Sequence, residues 1–458
     1  MACQRESLSS RLGFILLSVG CAVGLGNVWR FPYVTGKYGG GMFVLLYLLC
    51  LICIGFPLLA MELSIGRGGR SNLVHSMQTL SGGKTSWKFI SSLAFCGNIL
   101  LMMYYTTIAG WLMYYAAGYI SGNDSLCTTT GDNVESIFNS LTGSWQISTS
   151  YMVAVVALSS LMCSSGLRKG VEKSTKVMMT ILFLLIAVMA VYALTLPGAG
   201  EGLSFYLKPD FDKFSANFGE TLFAALGQAF FTLSIGAGSM TVFGSYIGKE
   251  RRLTEECITI ISLDTLIALL AGLIIFPICF SFNVSPAAGP GLIFVSMPNV
   301  FKTMAGARWW GSAFFIFLTL AALTTVVAVF ENIICFIMER WNMKRPAASL
   351  ITGISIALLS MPCILGGNVL KTFHPLGKES SILDLEDFIV SQNLLPFGAF
   401  FIALFCSHKF GWNWQNFIAE VNTGCGLKFP TAAKFYCKWL LPMIIMVIFI
   451  IGYKQIFQ

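Results

Sequence analysis

Gly20-Cys21-Ala22-Val23-Gly24-Leu25-Gly26-Asn27 lies in the middle of an apolar run covering residues 12–35. The run is long enough to cross a bilayer, which takes about 20 residues as a helix. Two glycines two positions apart each weaken a helix by about 1 kcal/mol. Small residues that only let helices pack closely recur every four positions, so a spacing of two reads as a break. A second stretch of this kind, Thr232-Leu233-Ser234-Ile235-Gly236-Ala237-Gly238, interrupts the apolar run 218–247. The chain therefore predicts two membrane helices that are broken near their centres.

Further runs occur at 41–66, 88–120, 148–165, 174–196, 255–282, 309–338, 347–365, 388–407 and 434–453, which makes eleven predicted spans in all. The composition agrees. Apolar residues are 56% and charged residues 11% of 458, where soluble chains carry roughly 45–50% and 25%. The mean hydropathy is +0.75. Disorder, collagen, coiled coil and secreted mini-protein are excluded. A transmembrane β-barrel would alternate polar and apolar residues, and these runs are continuous. The expected class is an all-α polytopic membrane protein.

The two breaks fall five spans apart. An odd offset inverts the second helix relative to the first, so spans 1–5 and 6–10 are expected to be inverted repeats. The chain is then one transmembrane domain over residues 1–458, with repeat A at about 11–196, repeat B at about 218–407 and an extra helix at about 430–455. The net charge of +8 reads as positive-inside loops. With the N-terminus in the cytoplasm, twenty Lys and Arg fall on inner segments and seven on outer ones. The 121–147 loop has neither Lys nor Arg and contains Asp124, Asp132 and Glu135. The C-terminus is then outside. The first run is too long for a signal peptide. Nearly all 14 cysteines sit in apolar runs, including the C-x-x-C at Cys50 and Cys53, which reads as core thiols rather than a metal site. Only Cys127 falls in a long outer loop, so no structural disulfide is expected.

Ionisable residues within spans are costly. Arg30, Glu62, Asp264, Glu331, Glu339 and Asp387 stand in or at the ends of spans. An unwound backbone exposes carbonyls and amides that need partners. Carbonyls suit a hard cation such as Na⁺, and the free amides of a restarting helix suit a carboxylate. An amino acid together with Na⁺ satisfies both. Thr232, Ser234, Thr324 and Thr325 add hydroxyls in or beside the same helices. A channel would need a more polar span than any present. An embedded enzyme would need a nucleophile or metal set, and the three histidines (His75, His374, His408) are predicted at loops or helix ends.

The run Arg11-Leu12-Gly13-Phe14 through Gly24-Leu25-Gly26-Asn27-Val28-Trp29-Arg30-Phe31-Pro32-Tyr33 resembles the first helix of the neurotransmitter:sodium symporters, which have the LeuT fold. Gly39-Gly40-Gly41, Gly227-Gln228-Ala229-Phe230-Phe231-Thr232-Leu233-Ser234, Ala321-Ala322-Leu323-Thr324-Thr325 and Asp387-Phe388 also match, in order, from residue 5 to about 440. Eleven spans and minimal tails resemble the bacterial members, and so imply a bacterial cytoplasmic (inner) membrane. The resemblance implies two Na⁺ ions, no organic cofactor, no nucleic acid and a monomer or weak dimer. One sodium would lie among Ala22, Asn27, Thr232, Asp264 and the substrate carboxylate. The other would lie among Gly20, Val23, Ala321, Thr324 and Thr325. Substrate would meet Ala22, Gly24, Gly26, Leu101, Tyr105, Phe231, Ser234, Ala237, Thr325 and Val329. Arg30 and Asp387, with Tyr105 and Phe231, would form an outer gate. Arg5 and Glu339, with Ser245 and Tyr246, would form an inner one.

Three departures from the family pattern refine this. Gly24 stands where monoamine carriers place an Asp, which favours amino acids. Asp264 stands where many members have Asn, and Ala268 replaces the Ser of chloride-dependent members. Two Na⁺ and one carboxylate leave positive charge in a medium of low dielectric, which Asp264 can balance. Chloride-independent transport, with a proton returning on Asp264, is the expectation. Ala237 occupies the place of a larger residue, so a void the size of a ring and a bulky hydrophobic or aromatic L-amino acid are expected, unless a neighbour such as Leu101 fills the gap. Glu331 receives no role.

Overall fold

The structure, a computed structural model, describes residues 6–128, 133–209, 218–286, 291–377 and 380–456. Arg5, expected at the inner gate, lies outside them. The described residues are mostly helical, with only two isolated bridges, Gly40–Pro209 and Arg251–Cys425. We number the principal helices α1 (Arg11–Ala22), α2 (Gly26–Lys37), α3 (Gly41–Gly69), α4 (Thr85–Ser121), α5 (Trp145–Ser164), α6 (Leu167–Leu194), α7 (Phe218–Thr232), α8 (Ser239–Tyr246), α9 (Leu253–Ser281), α10 (Ala307–Trp341), α11 (Arg345–Leu365), α12 (Ile382–Ser407) and α13 (Thr431–Ile451).

Nine of these are long and apolar enough to span alone, and α1 with α2 forms a tenth span bent by 52°. The run 218–247 is instead two short helices, α7 and α8, with residues 233–238 between them outside any helix. Both expected breaks are present, but for different physical reasons. Between α7 and α8, Ser234, Gly236 and Gly238 have φ of 51°, 96° and 89°, a region that glycine enters freely and other residues rarely. A Cβ on Gly236 would also strike the Leu395 carbonyl of α12, and a Cβ on Gly398 would strike the carbonyl of Gly236. Backbone here lies directly on backbone. In the first break Val23 is extended, with φ −72° and ψ 99°, and neither Gly24 nor Gly26 has positive φ. Those glycines are needed for close approach by side chains.

Prolines shape several other spans. Pro32, Pro57, Pro298, Pro396 and Pro442 each follow a π-type turn, such as Gly26–Arg30 or Phe388–Leu394. Proline has no N–H and its ring crowds the carbonyl four residues back. Widening the turn before it relieves that crowding. α10 is the central helix. It packs on α1, α4, α5, α6 and α11 and is buried on most sides along its apolar length. The broken helices meet it, and α8 packs closely on α3.

Candidate functional site

The first break brings three kinds of group together. The Leu25 amide donates to the Tyr105 hydroxyl at 3.0 Å. Gly24 lies so close that a Cβ there would meet the Tyr105 hydroxyl and Thr325 Oγ1. Thr325 Oγ1 in turn faces three carbonyls, Gly20 at 3.4 Å, Val23 at 3.3 Å and Ala321 at 3.4 Å, and Thr324 Oγ1 donates to Ala321 at 2.9 Å. Three carbonyls and two hydroxyls thus crowd one buried point, an all-oxygen set of the kind a hard cation takes. Four of the five residues expected at the second sodium, Gly20, Val23, Ala321 and Thr325, are thus already joined around one point, with Thr324 beside them.

The residues expected at the first sodium converge on Asp264. Asn27 Nδ2 donates to its Oδ1 at 2.8 Å and to its carbonyl at 3.1 Å. Thr232 Oγ1 donates to Oδ2 at 3.0 Å. Asp264, Asn27 and Thr232 are all fully buried, and no Lys or Arg pairs with Asp264 among the described residues. A carboxylate with no basic partner in a membrane interior is suited to a cation. Ala22 lines the adjoining cavity. Nearby, the Tyr47 hydroxyl and Gln228 Oε1 are buried without hydrogen-bond partners among the described residues, while Gln228 Nε2 holds the Gly26 carbonyl at 2.7 Å.

All ten residues expected around the substrate line one cavity: Ala22, Gly24, Gly26, Leu101, Tyr105, Phe231, Ser234, Ala237, Thr325 and Val329. Cys21, Asn98, Ser239 and Leu395 line it too, and the sequence reading did not include them. The ring-sized void expected at Ala237 is absent. The cavity is about 20 Å³, space for roughly one water. Asn98, Leu101 and Leu395 close around the alanine, so the loss of one large side chain does not leave a hole.

Adjoining it is a larger cavity of about 520 Å³, lined by Trp29, Arg30, Tyr104, Phe231, Leu383 and Asp387 among others. Arg30 and Asp387 both face it but form no ion pair. The Arg30 guanidinium sits 4.8 Å from the Phe231 ring centroid, and its Nη1 has no hydrogen-bond partner. Asp387 accepts instead from Tyr104 at 2.9 Å and Ser391 at 2.6 Å. The expected outer gate pair is therefore apart in this conformation, with open space between its members. Phe231 and Tyr105 line both cavities, so they form the partition between them.

At the expected inner gate, Glu339 accepts from Ser71 Oγ and, at 2.6 Å, from Asn72 Nδ2. Ser245 donates to the Val242 carbonyl at 2.5 Å. Tyr246 donates to Glu331 at 2.6 Å, which supplies the role that the sequence reading lacked. Glu331 also accepts from Arg345 Nη1 at 2.6 Å and Nη2 at 3.1 Å, and Arg345 reaches Glu6 at 2.9 Å. The pair joins α10 and α11 to the N-terminal segment. Its side chains are 0% and 9% exposed. Removing one partner from such a pair typically costs about 3–5 kcal/mol, whereas replacing both by apolar groups is often neutral. Glu331→Gln should therefore lower the apparent melting temperature in detergent, and Glu331→Leu with Arg345→Met should restore it. Glu62, also fully buried, accepts from the Gly236 amide at 3.0 Å and so anchors the second break.

Paired broken helices around a shared cavity, an uncompensated buried carboxylate and a cluster of carbonyls define a cation-coupled membrane transporter rather than an enzyme. The chain belongs to the sodium:neurotransmitter symporter family, whose profile matches residues 5–133 and 132–458. It is 35% identical to a sodium-dependent transporter of Haemophilus influenzae, over 98% of each chain, and 33% identical to the sodium-dependent transporter YhdH of Bacillus subtilis, over 96% of each. Its fold superposes on the crystal structure of MhsT in complex with L-phenylalanine with a TM-score of 0.88 and 35% identity, over 98% of this chain and 100% of that one. The protein is a multi-pass, sodium-dependent symporter with the LeuT fold. It acts on Na⁺ and a small substrate.

Proposed function

We propose that the protein couples Na⁺ to uptake of an L-amino acid, bulky and hydrophobic or aromatic, by alternating access, with two sodium sites and without chloride. The observation that carries this reading is the first helix break. There the Leu25 amide, bonded to the Tyr105 hydroxyl, stands beside a cluster of carbonyls, and Gly24 carries no acid of its own, so the carboxylate is one the substrate brings. That carboxylate completes the first sodium site with Ala22, Asn27, Thr232 and Asp264, so substrate and Na⁺ each raise the affinity of the other. The second sodium clamps α1 to α10 through Gly20, Val23, Ala321, Thr324 and Thr325. Asp264 supplies the balancing negative charge and takes a proton when the site empties.

The size of the substrate is supported by MhsT, which was crystallised with L-phenylalanine. An aromatic side chain does not fit the present cavity of about 20 Å³, so its binding requires the cavity wall to open. In the orientation proposed, the N-terminus is cytoplasmic and Arg30 and Asp387 close over the bound substrate. The deciding test is uptake into proteoliposomes driven by an imposed Na⁺ gradient, with a panel of amino acids. Saturable accumulation of large L-amino acids is expected. Preference for glycine and alanine would overturn the size reading, and binding without accumulation would indicate a substrate-sensing receptor of the same fold. Thr325→Val keeps the shape but removes the hydroxyl. It should raise the Na⁺ concentration for half-maximal uptake about tenfold, equivalent to about 1.4 kcal/mol.

A further inference from the structure

The cavity wall furthest along α4 from Tyr105 is polar. Asn98 lies seven residues before Tyr105, two helical turns or about 10 Å along the axis, a span on the scale of one aromatic amino acid. Asn98, Ser239 and Asn332 are at most 1% exposed. Their hydrogen bonds form a chain. Asn332 Nδ2 donates to Ser239 Oγ at 3.3 Å, Ser239 Oγ donates to Asn98 Oδ1 at 3.2 Å, and Asn98 Nδ2 donates to the carbonyls of Ala237 at 2.7 Å and Phe95 at 3.3 Å. Two carbonyls at one end and a hydroxyl at the other fix which end of the amide is nitrogen.

The protons of Asn98 Nδ2 and Ser239 Oγ, the two members of the chain that line the cavity, are committed. The open capacity is an acceptor. Asn98 Oδ1 has two lone pairs and receives one hydrogen bond. A substrate side chain ending in an N–H or O–H would fill the second. One ending in C–H would bury it unfilled.

We propose that Asn98 sets side-chain specificity, accepting a hydrogen bond from the tip of an aromatic substrate so that a phenol or indole donor is preferred over a purely hydrocarbon ring. This rests on the reading of a large L-amino acid as substrate. Because Asn98 is already partly satisfied without substrate, the preference has the size of one neutral hydrogen bond, about fivefold to tenfold. It falls short of the much larger rejection shown by sites left with wholly unpaired groups.

The test is sodium-driven uptake of labelled L-tyrosine into proteoliposomes, competed by L-tyrosine, by 4-methyl-L-phenylalanine (the same outline without a donor) and by 4-methoxy-L-phenylalanine (an acceptor only). L-tyrosine should compete about fivefold to tenfold better than either analogue. In Asn98→Leu the ratio should fall to about one. In Ser239→Ala, which frees Asn98 Oδ1 from its present donor, the ratio should be kept or raised. Should Asn98→Leu not yield folded protein, the wild-type and Ser239→Ala ratios decide. Equal competition by all three in the wild type overturns the proposal, as does an unchanged ratio in Asn98→Leu. If no aromatic compound is taken up while leucine is, the aromatic reading itself fails, which is a different result from equal competition.

Discussion

Gly24→Val is expected to reduce sodium-driven uptake at least about a hundredfold while leaving a folded, monodisperse protein. No backbone strain is involved, because Gly24 has ordinary negative φ. The effect comes from where its missing side chain would go. A Cβ there meets the Tyr105 hydroxyl and Thr325 Oγ1 at once. Extra methyl groups in a packed interior cost about 1–3 kcal/mol through forced movement. Here the groups forced to move are the one bonded to the Leu25 amide and the one facing three carbonyls. Substrate and second-sodium sites should fail together, with a loss of two powers of ten corresponding to about 2.8 kcal/mol. Gly24→Ala should show the same pattern with smaller size. The measurement is equilibrium binding of labelled substrate against Na⁺ concentration. A variant that lost substrate affinity but kept its Na⁺ dependence would show that the two sites are not joined at Gly24.

Asp264→Asn is expected to convert uptake from chloride-independent to chloride-dependent. With wild type, replacing chloride by gluconate should leave uptake unchanged. With the variant, uptake in gluconate should fall at least about tenfold, and chloride should restore most of it. Loss of one buried negative charge beside the two proposed sodium sites leaves positive charge unbalanced where the dielectric is low. The variant also supplies donors for an anion. Thr232 is freed from the carboxylate it now serves, the new amide has its own N–H groups, and the Tyr47 hydroxyl is already buried without a partner. Full activity of the variant in gluconate would remove Asp264 from charge balance. Proton movement against substrate, recorded with a pH dye inside the vesicles, should vanish in the same variant.

Much of the fold was legible because a membrane span is a one-dimensional signal. Continuous apolar runs mark helices, and glycine pairs two residues apart marked both breaks. What the pairs do was not legible. Gly236 and Gly238 adopt positive φ, whereas Gly24 makes room for two hydroxyls from helices about 80 and 300 residues away in sequence. Only contacts across the fold separate these cases. Whether Ala237 left a ring-sized void or a neighbour such as Leu101 filled the gap was not legible for a related reason. Volume belongs to a whole cavity wall, and Asn98, Leu101 and Leu395 line the small cavity together with Ala237. Asn98 left a signal that went unread, a lone amide in an apolar run at helical spacing from Leu101 and Tyr105. Glu331 could be flagged as a buried acid, but its partner Arg345 lies beyond the end of its own helix, where side-chain periodicity no longer applies.

The contact between Gly236 and Gly398 has a consequence for how this scaffold can diversify. Each is barred from carrying a side chain by the backbone of the opposite segment, so neither can be enlarged while the other stays in place. The two positions, about 160 residues apart in sequence, act as a single mutational unit. Because Gly236 adjoins Ala237 on the cavity wall, side chains can be exchanged at Asn98, Ala237 or Val329 without touching that seam, whereas thickening the seam itself demands that both backbones move.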